Sequence, residues 1–353
     1  MLSKFTGVLK ERRLPYFIEW RRTKLINRTH YFSNVLFCFF SEKKARKKIT
    51  FKCGFHGETG GVFAIASIAN LLADLYDVEF ITYPSSNYNR FLNRNVRLVR
   101  SSAFESELFI CDVTCDRAFF ECLKRENKKI IVSCHGFLDG LHGLTAERVL
   151  GSLSFADKVH FVSYVQQVSF NLNEGSYKII PNTTKSITKT TQTNNAGCVG
   201  NLNEARKNAQ ESVDIFLGSK LKELHLWSVE TDKWKNSRII IHAWESNKNR
   251  IYDSFDVLVF MSEVETFGLV VIEAMSAGVP CVLSNIPAFQ QFKNCPGVVV
   301  IDEKNFTEAP EILNRLLKDR LEIRQSMMEH FEKNYSTNAV TREWIEFVEA
   351  ITQ

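Results

Sequence analysis

The sequence predicts an α/β protein built from two parallel-sheet domains. Short apolar runs alternate with amphipathic or polar stretches from residue 49 to residue 301. Such runs read as strands of parallel sheets covered on both faces. Two of them, at Ile49 and Gly197, each open a strand–loop–helix–strand unit, and a polar stretch at 182–196 separates the two series. A length of 353 residues gives room for two domains, and an apolar share of 44% is enough for two cores.

Residues 1–48 stand apart from this pattern. They hold 13 Lys and Arg against three Glu, a net +10 in a chain whose total is +5, so the remainder is near −5. The charges interleave with Phe5, Tyr16, Phe17, Trp20 and the run Val35–Phe40. Basic residues spaced by aromatics suit an anionic membrane surface. Packing of an extra helix on the body, or a basic arm on nucleic acid, fits the same composition. We expect an anionic membrane surface as partner of this segment, and no nucleic acid. No run of 18 apolar residues and no signal-peptide layout is found, so we expect a cytoplasmic protein held peripherally on the inner face of the cell membrane. Nine cysteines, an odd number without a Cys-x-x-Cys pair, fit a reduced compartment better than a disulfide framework or a zinc site.

The first domain, 49–181, opens with the strand Ile49–Cys53. A glycine-bearing loop, Gly54 to Gly61, leads to a helix with apolar positions at Val62, Ile65, Ala66, Ala69, Leu72 and Tyr76. Further strands are expected at 78–82, 108–111, 130–133, 159–162 and 178–180. The opening is Rossmann-like but lacks Gly-x-Gly-x-x-Gly, which argues against dinucleotide binding. His135 sits at the end of a strand, the edge where open α/β sheets bind ligands. His56 and His142 are alternatives for a functional histidine. Asp112 and Asp116 do not form an Asp-x-Asp metal motif and read as strand-end and cap residues.

The second domain, 197–335, begins with the strand Gly197–Gly200, followed by Asn201 to Asn208 and a helix. Strands are expected at 223–227, 238–242, 255–260, 279–283 and 298–301. The rest of the chain is expected to be helical, with a separate C-terminal helix over 336–353. The stretch Ser262 to Cys281 organises this half. It contains a helix, opening near Gly268, that is apolar on nearly every face and therefore buried. Glu273 lies inside it, where a carboxylate is costly unless hydrogen-bonded. Its position is roughly 7–8 Å along the helix, and its side chain leans back toward the helix start. Gly268 leaves the backbone open, and the first helical amides suit an anion. One ligand spanning Glu265, the amides of Phe267 to Leu269 and Glu273 is consistent with this spacing. So is a buried helix whose Glu273 pairs with a neighbouring Arg or Ser.

The run Glu265-Thr-Phe-Gly268, Glu273-Ala-Met275, Gly278-Val-Pro280 resembles the donor-site motif of glycosyltransferase family 4, retaining enzymes of the GT-B fold. The resemblance implies two Rossmann-like domains facing a cleft, with the last helix crossing back to the first domain. It implies that Glu265 contacts the donor sugar, that the amides of Phe267, Gly268 and Leu269 hold sugar and diphosphate, and that Glu273 binds the ribose hydroxyls. Gly60 and Gly61 match a Gly-Gly loop that closes over the diphosphate. Gly200-Asn201 and Lys207 match a Gly-Arg…Lys pattern that neutralises the diphosphate. Asn201 departs from it, since the family has arginine there; Arg206 or Lys248 are candidate substitutes. His135 matches a histidine near donor sugar and acceptor.

The function implied is transfer of a sugar from a nucleotide-diphosphate donor to a glycan, with retention of configuration. The expected acceptor is a lipid-linked surface-polysaccharide intermediate of O-antigen, capsule or lipopolysaccharide type. His135, Glu265 and Lys207 are the expected catalytic group, with no cofactor and no metal. The alternatives are a GT-B sugar-nucleotide epimerase, or a degenerate family member acting as a membrane-bound scaffold.

Overall fold

The structure is a computed structural model that describes residues 46–54, 60–82, 90–100, 104–138, 145–227, 233–234 and 236–353. Residues 1–45, which hold most of the basic segment, and both His56 and His142 lie outside the described residues. The chain divides into two compact units. Unit 1 comprises residues up to Phe161, Ser169–Ile179 and Trp344–Gln353; unit 2 comprises Val162–Val168 and Ile180–Glu343.

Unit 1 contains, in chain order, β1 (Lys48–Lys52), α1 (Gly60–Leu72), β2 (Asp77–Ile81), β3 (Arg97–Val99), β4 (Leu108–Asp112), α2 (Arg117–Arg125), β5 (Lys129–Cys134), α3 (Ala146–Leu153) and β6 (Lys158–Phe161). Helix α4 (Tyr164–Phe170) is shared between the units, and β7 (Tyr177–Ile179) completes the first sheet. Among the described residues this sheet has seven strands in the order β3-β2-β1-β4-β5-β6-β7, and every pair is parallel. All five residues of β4 are buried, as are the last five of β5. That is why these strands read as continuous apolar runs rather than alternating ones. The sequence does not signal strand β3. It is three residues long, begins with an arginine and shows no apolar run. Its place at the sheet edge is held by Arg97 on the buried Glu79 of β2.

Unit 2 contains β8 (Ala196–Val199), a 3-10 turn at Ala205–Lys207, α5 (Ala209–Leu217), β9 (Leu224–Trp227), β10 (Ile239–His242), α6 (Lys248–Asp253), β11 (Val257–Phe260) and α7 (Leu269–Ala277). It continues through β12 (Cys281–Ser284), β13 (Val298–Ile301) and α8 (Ala309–Asn334). The last helix, α9 (Thr337–Thr352), starts in unit 2 and ends in unit 1, where Trp344 packs 4.6 Å from the ring of His160. The second sheet runs β10-β9-β8-β11-β12-β13, again parallel throughout. No helix among the described residues is long and apolar enough to cross a membrane.

Residues 181–195 carry no regular secondary structure and belong with unit 2. A buried ion pair fastens them. Lys189 Nζ lies 3.0 Å from Asp256 Oδ1, and Oδ2 of the same carboxylate accepts the amides of Thr193 and Asn194 at 2.8 Å each. The order of each sheet reverses beside its first strand, β1 or β8. Such a switch point opens a crevice at the carboxyl ends of the strands, where ligands bind in open α/β sheets.

Strand β8 also shows why this centre requires glycine. A Cβ on Gly197 would lie 2.2 Å from the ring of the fully buried Phe255. Overpacking of a core costs about 1–3 kcal/mol. Gly197→Ala should therefore lower stability by roughly that amount in denaturant unfolding. Unchanged stability would mean that the Phe255 ring has room to retreat.

Candidate functional site

The site develops from the two adjacent central strands of unit 2. At the end of β8 the chain turns at Gly200, whose φ of +140° lies in a region that L side chains rarely adopt. Space alone does not demand glycine there, since a Cβ would approach Lys207 and Phe260 no closer than 4.0 Å. The chain then winds back through short bonds, Leu202 N to Gly200 O at 2.8 Å and Lys207 N to Glu204 O at 3.0 Å. The 3-10 turn Ala205–Lys207 brings Arg206 and Lys207 beside the segment that leaves β11. Backbone and hydroxyl bonds stitch these segments: Glu263 N donates to Arg206 O at 2.8 Å, and Ser262 Oγ lies 3.0 Å from the same oxygen.

Glu265 is where the cations converge. Lys207 Nζ bonds its Oε1 directly and also lies 5.3 Å from the centre of the Phe260 ring. Ser262 Oγ stands 3.2 Å from the same carboxylate oxygen. Arg206 Nη1 lies 3.8 Å from it, donates to Val264 O at 3.1 Å, and its Nη2 meets Glu204 at 2.6 Å. Lys207 and Glu265 are each largely buried, whereas Arg206 is half exposed. Asn201 does not reach Glu265; its Nδ2 donates to Glu204 Oε1 at 2.9 Å. Glu204 therefore spans Asn201 and Arg206.

Helix α7 supplies the other half. Gly268 precedes it with φ +102°, and a Cβ there would meet Phe289 at 2.8 Å, so only glycine fits. Phe267 is buried against Phe292 and Tyr335, which holds the turn before the helix. Ser163 Oγ donates to Thr266 O at 2.6 Å. Leu269 is the first helical residue and is half-buried. Glu273 is 6% exposed. Tyr252 Oη donates to its Oε2 at 3.0 Å, and Lys248 Nζ lies 3.2 Å from its Oε1. Lys248, one of the candidate substitutes for the missing arginine, is thus engaged with the helix carboxylate. Neither Tyr252 nor Glu204 was singled out from the sequence. The signal available for Tyr252 was its spacing of four from Lys248, which puts both on one face of α6.

The remaining expected residues belong to unit 1. Gly60 and Gly61 are the first two residues of α1, and a Cβ on Gly60 would meet nothing within 4 Å. The loop before them, 55–59, lies outside the described residues. His135 follows β5. Ser133 Oγ bridges its Nε2 at 2.9 Å and His160 Nδ1 at 2.7 Å. Burial pushes His135 down to about 3, and the neighbouring His160 adds to the shift, so the ring is neutral at pH 7.

What unit 2 assembles is a pair of cations on one carboxylate at a strand-order switch point, next to a glycine-capped buried helix. Such an arrangement can stabilise an anionic group electrostatically. Comparison with known proteins bears on the family and the fold. Residues 200–334 match the family model described as glycosyl transferases group 1. No curated protein matches the chain by sequence. The fold is similar to that of HepE from Anabaena, solved with UDP-glucose, at 13% identity and TM-score 0.69, covering 86% of this chain and 99% of that one. It is also similar to the lipopolysaccharide outer core galactosyltransferase WaaB in its apo form, at 15% identity and TM-score 0.63, with 86% and 99% covered. Sucrose-phosphate synthase from Thermosynechococcus elongatus gives 13% identity and TM-score 0.67, with 87% and 99% covered. At these identities the likeness is one of fold. Residues 200–334 are thus similar to group 1 glycosyl transferases, and the chain has the GT-B fold.

Proposed function

We propose that this chain is a retaining glycosyltransferase of family 4 that moves a sugar from a nucleotide-diphosphate donor to a glycan acceptor. The observation that carries the reading is the meeting of Lys207 and Glu265, 58 residues apart, at the ends of β8 and β11. Lys207 and Arg206 neutralise the charge that builds on the departing diphosphate. Gly200 and the Gly268 turn allow the donor close to the backbone. Glu265 contacts the donor sugar and Glu273 the ribose. His135, neutral at pH 7, serves the reacting sugar as a hydrogen-bonding partner rather than as a cation. HepE was solved with UDP-glucose, which supports a nucleotide-sugar donor. Likeness to an outer core galactosyltransferase supports a lipid-linked surface glycan, of lipopolysaccharide, O-antigen or capsule type, as acceptor.

Transfer proceeds without a divalent metal in this reading. This reading assigns the charge of the diphosphate to Lys207 and Arg206, the cations beside Glu265. A panel of nucleotide sugars screened for binding and slow donor hydrolysis in excess EDTA tests both points. At least one donor should bind and be hydrolysed. Complete loss of activity in EDTA, restored by Mn²⁺, would overturn the metal-free mechanism. Release of an epimerised free sugar would favour the epimerase reading, and binding of no donor at all would favour a scaffold.

Lys207 should matter more than Arg206, because it is the more buried of the two and bonds Glu265 directly. A charge that acts mainly in the transition state lowers kcat more than affinity when removed. Lys207→Ala should cost about 100-fold or more in kcat and less than tenfold in donor affinity. Equal, mild effects of Lys207→Ala and Arg206→Ala would count against this assignment.

The basic segment 1–48 holds the protein on an anionic membrane surface. Its +10 contrasts with a remainder near −5. Each Lys or Arg near such a surface contributes roughly 1 kcal/mol, and the attraction fades as salt rises. The full-length protein should co-sediment with anionic liposomes at low salt, less so at high salt, and not with neutral ones. Indifference to anionic liposomes at low salt would leave packing as the role of this segment.

A further inference from the structure

We propose that Tyr252 and Lys248 are positioning residues that set Glu273 to receive a vicinal diol, so that the donor site selects ribonucleotides over 2′-deoxyribonucleotides. The inference rests on the ribose role given above to Glu273 and extends it to the groups behind that carboxylate. An ionised carboxylate offers about four acceptor positions, two on each oxygen. Among the described residues two side-chain donors fill two of them, one on each oxygen: Tyr252 Oη on Oε2 at 3.0 Å and Lys248 Nζ on Oε1 at 3.2 Å. One position per oxygen remains, which is the demand of two adjacent hydroxyl groups on one sugar ring.

Both donors come from one face of α6, since residues four apart on a helix lie above one another. Helix α6 is itself well anchored. Asn247 caps it by accepting from Asn249 N at 3.1 Å, and Thr188 N donates to Asn249 Oδ1 at 3.1 Å. The buried Lys189 donates to Tyr252 O at 3.2 Å. The Tyr252 ring is fully buried and lies 5.3 Å from that of Phe255. Its hydroxyl also stands 3.0 Å from Val270 O, one turn before Glu273 on α7. Burial, with the charge of Glu273 next to it, pushes the phenol well above its ordinary range, so it remains a donor at any working pH. Lys248 differs from it in being 43% exposed, so its removal leaves the core of unit 2 untouched.

Calorimetric titration of the full-length protein separates positioning from plain structural support. The probes are UDP, ADP, GDP and CDP, each against its 2′-deoxy counterpart, and the reading is the ratio of the two affinities for whichever base binds. A hydrogen bond to a charged group corresponds to roughly tenfold or more in affinity, so the wild-type protein should prefer the ribonucleotide by about that factor. Glu273→Gln should lose most of the preference. Tyr252→Phe and Lys248→Met should each lower it severalfold, by weakening the ribonucleotide and not its deoxy counterpart. A purely structural role would weaken both nucleotides alike and leave the ratio where it was. If Glu273→Gln loses the preference while both Tyr252→Phe and Lys248→Met retain it, the positioning role is overturned and the ribose assignment stands. If Glu273→Gln itself keeps the wild-type ratio, the ribose assignment falls and the positioning role falls with it. Should Tyr252→Phe fail to fold, Lys248→Met decides the matter by the same ratio.

Discussion

A carboxylate inside an apolar helix must be supplied with donors, and much of unit 2 around α7 follows from supplying Glu273. Burial of an unpaired charge is so costly that a group in that position would otherwise take up a proton. Here α6 delivers a phenol and an ammonium to the two oxygens. That delivery fixes where α6 must lie against α7, and the ends of α6 are tied down in turn by Asn247 and by Lys189. Lys189 is buried as well, and it is matched by Asp256 just before β11. The segment 181–195 is thus held to the same unit by the same rule: each buried charge is placed where another can meet it. Pairs of this kind contribute little net stability compared with apolar contacts, but breaking one leaves an uncompensated charge, and that cost holds the arrangement in place.

The parallel topology then decides what lies beside this helix. Strands β8 and β11 are neighbours although 57 residues lie between the end of β8 and the start of β11, because the sheet order reverses between them. The turns leaving both strands emerge on the same edge. Lys207, from the first turn, and Glu265, from the second, meet there, and Ser262 and the backbone of Arg206 lock the two turns together. The same reversal occurs beside β1 in unit 1. There Gly54 closes on the turn after β4 so tightly that a Cβ would lie 2.2 Å from Thr114 O.

Asn201 bears on the proposed handling of a diphosphate. With arginine absent from that position, the second cation near Glu265 is Arg206, five residues on. Glu204 holds both Asn201 and Arg206, so the guanidinium is directed by a carboxylate as well as by Val264 O. Fixed cations with fixed partners need little reorganisation when charge develops nearby, which is the condition for electrostatic stabilisation of a leaving group. The more exposed guanidinium is screened by solvent more than the ammonium of Lys207, and the two are therefore unequal in strength.

Strand and helix identity were legible in the sequence wherever burial on both faces imposes an unbroken apolar run. The runs at 108–111, 130–133 and 298–301 became β4, β5 and β13 almost residue for residue. Gly268 as the start of α7, and the burial of that helix, followed from its glycine and its all-round apolar surface. Strand β3 was hidden because an edge strand held by Arg97 and Glu79 needs no apolar run. The residues of the glutamate motif were visible by type and spacing, but their partners were not. Lys248 is by its sequence position a candidate for the diphosphate, but its pairing with Glu273 has no sequence signal, and Tyr252 gives no sign beyond its spacing from Lys248. Periodicity and turn chemistry are local, and a chain reveals them residue by residue. Which cation faces which carboxylate depends on strand order and on how α6 packs against α7, and only the tertiary structure decides that.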